Sequence, residues 1–110
     1  MKHIVKLLTD AVQGKPVHLR SSKWSGVRKN FLKDNPTCCA CGGIDKLEVH
    51  HKQPFHLHPE LELDPTNLIT LCESDTKCHL QLGHLGDWHK FNPSVERDVK
   101  KYFKQHQKGK

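Results

Sequence analysis

A chain of 110 residues with a hydrophobic fraction of 35% has room for one domain and a small core, so a bound metal that closes loops is a natural further source of stability. No apolar run approaches the roughly 20 residues needed to cross a bilayer, and residues 1–12 interleave charged and apolar side chains, unlike a signal-peptide core; no membrane association and a cytoplasmic location are expected. The net charge of +6 conceals a division, because residues 1–33 carry eight Lys/Arg against one acid and residues 97–110 six against one, leaving the middle at −6. Basic ends of this kind suit a polyanion, whose phosphates they neutralise with release of counterions, although any single lysine could equally be a solvated helix face.

In chain order, Ile4, Leu7, Leu8, Ala11 and Val12 share one helical face before Gly14 and Pro16, which predicts a short basic helical segment within residues 1–19. Ser21 or Ser22 can cap a second helix that buries Trp24, Val27, Phe31 and Leu32 and leaves Lys23, Arg28, Lys29 and Lys33 outward. Asn35-Pro36 ends it, since the residue before proline disfavours helical backbone. Cys41-Gly42-Gly43 reads as a tight turn, residues 47–51 as a strand, and residues 52–66, with three prolines, as a long loop of the length that often serves function. A second strand returns over residues 67–72. A short helix then carries Cys78, His79 and Leu82, and a last helix begins at Asn92-Pro93-Ser94, capped by Asn92 or Ser94 and burying Val95, Val99, Tyr102 and Phe103.

Five cysteines are an odd number, and in a reducing compartment their clustering favours metal thiolates over disulfides. Cys38-x-x-Cys41 has the spacing that lets two thiolates chelate one tetrahedral ion from a single turn. Cys72 and Cys78 form a looser second half-site with five residues between them, so Cys38, Cys41, Cys72 and Cys78 are the expected ligands of a structural Zn2+, the alternative being ordinary buried thiols. Cys39 is expected to be a bystander, because a Cys-x-Cys chelate in extended chain would put its sulfurs on opposite sides.

His50 and His51 point to opposite faces of a strand, so one can bind metal while the other faces a reacting water. His79 directly follows the second thiolate region. An ion pinning Cys41 near Cys78 would draw the His50 strand and the His79 helix together. His84 lies five positions beyond His79, about 140° around a straight α-helix, and is not expected to share the same ion. His56 and His58 read as solvent-facing or phosphate-contacting loop residues, and His89 has no role assigned by the pattern. Arg20, Lys23, Arg28 and Lys29 are the expected contacts to a DNA backbone.

Val49-His50-His51-Lys52 with Pro54, then Asn67-Leu68, Leu71-Cys72 and Cys78-His79, resembles the HNH endonucleases of the zinc-bracketed, ββα-metal type, especially the small ones of phages and prophages. The similarity runs through residues 20–95 and takes in Trp24 and the Gly83-His84-Leu85-Gly86 stretch. It implies an α+β fold: a small ββα-metal domain with a four-cysteine structural zinc site and flanking helices, residues 1–19 and 96–110 being basic extensions. It also implies that His51 is the general base, that Asn67 orients the catalytic loop, and that His79 is a metal ligand. His50 stands where many relatives carry an aspartate ligand. A neutral nitrogen in place of a hard oxygen leaves the bound cation more positive and open to softer ions, so Mg2+, Mn2+, Ni2+ and Zn2+ are all candidates for the catalytic divalent metal. The implied reaction is hydrolysis of double-stranded DNA to 5′-phosphate and 3′-hydroxyl ends, and the phage resemblance adds the terminase large subunit as a packaging partner. A zinc-stabilised DNA-binding module without cleavage, or a zinc-held protein-interaction domain, would share the cysteines and differ at the histidines.

Overall fold

The computed structural model describes residues 20–108, with side chains through residue 105. The helix expected within residues 1–19 lies outside them. Helix α1 (Trp24–Asp34) is followed by strands β1 (Leu47–His51) and β2 (Leu68–Cys72), a π-helical turn (His79–Gly83) and helix α2 (Val95–Lys108). This is a small α+β domain with the ββα-metal arrangement, strand pair first and helical turn after it.

Helix α1 starts without a serine in the cap position. Lys23 occupies that place, while Ser21 folds back so that its Oγ accepts the Lys23 N–H at 3.0 Å and its carbonyl accepts the Trp24 N–H at 3.1 Å. The other end follows the proline rule: Asn35 is the C-cap and donates from both backbone and side chain to the Phe31 carbonyl. Trp24, Val27, Phe31 and Leu32 are only half-buried, because α1 packs on a two-stranded sheet too narrow to cover its apolar stripe.

The two strands pair antiparallel, with Leu47 opposite Cys72 and His51 opposite Leu68. Asn67 ends a short 3-10 turn (Pro65–Asn67) and does not open the strand; a second such turn (Pro59–Leu61) gives the proline-rich connection its shape. The Asn67 side chain closes that connection, donating to the carbonyls of Gln53 and Leu61 at 3.1 and 3.3 Å and accepting the Gln53 N–H at 2.8 Å.

The core consists of Cys38, Ala40, Ile69, Leu71, Cys72, Cys78, Val95 and Val99. Three of these are cysteines, so the centre of the domain is partly a sulfur cluster and gains stability when those sulfurs are bridged. Val95 and Val99 bring α2 into this core, as expected, but Phe103 stays 39% exposed beyond its edge. Asn92 joins α2 to the π-helical turn, its amide donating to the Leu82 carbonyl at 2.9 Å and its oxygen accepting the Ser94 N–H at 2.9 Å.

Candidate active site and metal centres

The first cluster is built by the turn that follows α1. Gly42 takes a positive φ of 79°, so the chain reverses and its N–H reaches the Cys38 carbonyl at 2.9 Å, while the Cys41 N–H lies 3.5 Å from the Cys38 sulfur. Cys72 arrives from the end of β2 and Cys78 from just before the π-helical turn. The four sulfurs lie within 4.8 Å of one another, with Cys41 and Cys72 3.7 Å apart. Sulfurs about 2.3 Å from a common tetrahedral ion would stand at about this separation, so the set fits a metal. A hydrogen bond from the Cys78 thiol holds Cys38 down to about 4 and pushes Cys78 up, which leaves negative charge at the centre of the cluster. Cys39 is exposed and stands outside it, its backbone N–H engaged by the Thr70 carbonyl at 2.9 Å.

The second cluster consists of His50, His79 and His84, whose ring nitrogens also lie within 4.8 Å of one another. His84 is a correction to the sequence reading. The segment from His79 winds as a π-helix, and its i→i+5 repeat returns residues five apart to one face, where a straight α-helix would separate them. Glu73 accepts from His79 Nδ1 at 2.6 Å, and the Lys90 carbonyl accepts from His84 Nδ1 at 2.7 Å. Each ring is thereby held in the tautomer whose Nε2 carries a lone pair. Those two Nε2 atoms face each other at 3.3 Å, with His50 Nδ1 3.1 Å from the first.

The lone pairs of His79 Nε2 and His84 Nε2, 3.3 Å apart, repel with no proton between them, and a cation held there would remove the repulsion. The other ring nitrogen of His50, Nε2, is buried without a hydrogen-bond partner. Burial first, then the neighbouring His79 and His84, pushes His50 down to about 3, so the ring stays neutral. Burial lowers His79 as well, against the opposing pull of Glu73. Gly83 makes room for this packing: a Cβ there would lie 3.0 Å from Cε1 of the His50 ring and 3.1 and 3.2 Å from its two nitrogens.

His51 sits apart from the three clustered imidazoles but lines the same cavity of about 490 Å³ with them. Its Nε2 lies 2.9 Å from the Glu62 backbone carbonyl. A carbonyl only accepts, so the ring proton is on Nε2 and Nδ1 is the free base. Trp24 covers the ring at a centroid distance of 4.6 Å, and burial lowers its pKa from the ordinary value of 6.5. Asn67 stands one step away, closing the connection that carries Glu62 through its bonds to Gln53 and Leu61.

The cationic residues expected to meet DNA divide. Arg20 lines this cavity, its guanidinium 4.6 Å from the Phe55 ring centre and 5.4 Å from that of Trp24, with the Glu62 carboxylate 3.7 Å away. Arg28 is paired with Glu48 at 3.2 Å, while Lys23 and Lys29 are exposed on α1. His56 and His89 are exposed at the cavity wall; His58 pairs with Glu60 at 3.1 Å. Glu62, Glu73, Trp88 and Lys90 escaped the sequence reading, three as supports for imidazoles and Trp88 as the cavity rim. Their acid, aromatic or backbone chemistry has no motif of its own. The signal for His84 was the glycine before it, which marks a departure from regular helix.

Among the described residues no helix is long and apolar enough to cross a membrane. Residues 37–85 match a family model described as HNH endonuclease. No curated protein and no solved structure matches the chain.

Proposed function

Through residues 37–85 the chain belongs to the HNH endonuclease family, and on that premise we propose that it hydrolyses phosphodiester bonds of DNA with His51 as general base. The observation that carries this reading is the pairing of His51 Nε2 with the Glu62 carbonyl, which frees Nδ1 as a proton acceptor in a cavity shared with three converging imidazoles. Neutral at cellular pH, His51 removes a proton from water as the oxygen attacks phosphorus. The P–O3′ bond breaks, its electron pair stays on the departing oxygen, which takes a proton from solvent to become the 3′-hydroxyl, and His51 passes the acquired proton back to solvent. Arg20 balances phosphate charge from the cavity wall, and Asn67 keeps the Glu62 carbonyl in place behind the base. His50, His79 and His84 would hold a divalent cation that polarises the phosphoryl oxygens and eases departure of the 3′ oxygen. Cys38, Cys41, Cys72 and Cys78 would hold a structural zinc.

Double-stranded DNA is the proposed partner, bound through the exposed lysines of α1 and the basic helix α2. A place beside a phage terminase large subunit follows from the sequence resemblance alone. The test is nicking of supercoiled plasmid with each of Mg2+, Mn2+, Ni2+ and Zn2+. His51→Ala should lower the rate by about 10²-fold or more at unchanged zinc content and circular dichroism. A wild-type protein that binds DNA with steep salt dependence but never cuts would instead be a binding module.

A further inference from the structure

Trp88 forms one rim of the catalytic cavity and is 53% exposed. Its ring meets His79 edge-on, 5.2 Å between centroids with planes 72° apart, and His84 tilted at 4.9 Å and 55°, while about half of its surface stays open to solvent. Phe55 and Phe91 add aromatic surface to the same cavity, and Arg20 and Lys90 add positive charge. An indole left half in water beside a concave, cationic cavity has the makings of a stacking surface for a nucleobase, with the phosphate directed to the cations.

Base faces are not available in paired B-form DNA. Each is covered by its neighbours in the stack, and the grooves expose only edges. A nucleotide offers its face to a ring only when it is unpaired or swung out of the helix. The volume of about 490 Å³ lies within the usual range for sites that enclose a small organic ligand, and suits a single nucleotide more than a convex reading head.

We propose that Trp88 is a substrate-binding residue that stacks on an unpaired base beside the scissile phosphate, so that the preferred substrate is DNA with unpaired nucleotides at the cut. The proposal rests on the nuclease reading above. Duplex flanks meet the exposed lysines, and the unpaired nucleotide enters between Trp88 and the Arg20 wall. The competing role for Trp88 is simple cover over the His79 and His84 rings.

The experiment uses the full chain with Mn2+ and end-labelled duplexes of one sequence, either fully paired or carrying a short central bubble, and measures cleavage and binding by fluorescence anisotropy. Wild type is expected to cut the bubble about tenfold faster at subsaturating DNA, the order of a single base–aromatic stack. Trp88→Phe keeps a flat ring and should keep most of that preference. Trp88→Leu keeps apolar cover over the imidazoles and should lose it, with metal content unchanged. Equal cleavage of the two substrates by wild type, or equal preference in the Phe and Leu variants, overturns the proposal and leaves the nuclease reading intact. Absence of all cutting, with bubble-selective binding that Trp88→Leu abolishes, would sink the nuclease reading and retain the stacking site.

Discussion

Glu73 and His79 are joined by a 2.6 Å contact from carboxylate to ring Nδ1, and that contact fixes which nitrogen His79 turns toward His50 and His84. At the proposed metal site the carboxylate would act on a cation without touching it, by holding the ring in one tautomer and making it a better donor. Glu73→Gln should therefore weaken binding of the exchangeable cation about 10- to 100-fold, with the zinc content of the thiolate cluster unaffected. Titration against a competing chelator, read beside total zinc, checks both halves.

With His51 as the proposed base, the pH dependence expected of cleavage follows from the burial of its ring. Its pKa is lowered from 6.5, mainly by desolvation, with Arg20 adding to the shift and the Glu62 carbonyl opposing it. A general base works deprotonated, so a lowered pKa keeps His51 competent further into acid than a free imidazole. The acid limb of the rate–pH profile at saturating cation should thus fall below 6.5, and Trp24→Ala, which uncovers the ring, should move it upward. Initial rates between about pH 5 and 8, the interval where imidazoles titrate, provide the check.

Gly83→Ala tests the packing of His50. The added methyl would meet the ring at 3.0–3.2 Å, closer than ordinary contact, and the ring must move by a few tenths of an ångström. Cleavage should fall about tenfold, since displacement of an ångström at a reacting centre costs on the order of 10²-fold. The thermal unfolding midpoint should change little. Paired melting curves and single-turnover rates separate the two effects.

The five cysteines should divide four to one. Serine at Cys38, Cys41, Cys72 or Cys78 removes a ligand from the core cluster and should cost the zinc equivalent and much of the fold, because binding and folding energy are coupled at such sites. Cys39→Ser, at an exposed thiol outside the cluster, should stay within about 0.5 kcal/mol of the parent. Zinc stoichiometry and urea unfolding of all five variants give the comparison.

Both strands, the stop at Asn35-Pro36 and the four-thiolate set were legible in the sequence because each rests on local chemistry: alternation, a proline restriction, a chelating turn. The convergence of His50, His51 and His79 on one cavity was legible too, from the thiolates that flank their segments. His84 was misplaced because its position depends on a helix winding wider than normal, which periodicity alone does not reveal. Glu62 and Glu73 escaped notice because their roles arise only from the fold: one supplies a backbone carbonyl to a ring eleven residues earlier in the chain, the other a carboxylate to a ring six residues later. The buried stripe of α1 was overestimated because its pattern says which face turns inward, not how much sheet awaits it.

Cys72 is bonded directly to Glu73, and Cys78 directly to His79. The carboxylate and the imidazole that it orients are therefore each one peptide unit from a sulfur of the other cluster. Oxidation of those sulfurs, or withdrawal of an ion held between them, would loosen both ends of the Glu73–His79 couple together. The proposed hydrolytic centre would thus inherit the redox vulnerability of its scaffold, and a mild thiol oxidant should silence it until reductant and metal are restored.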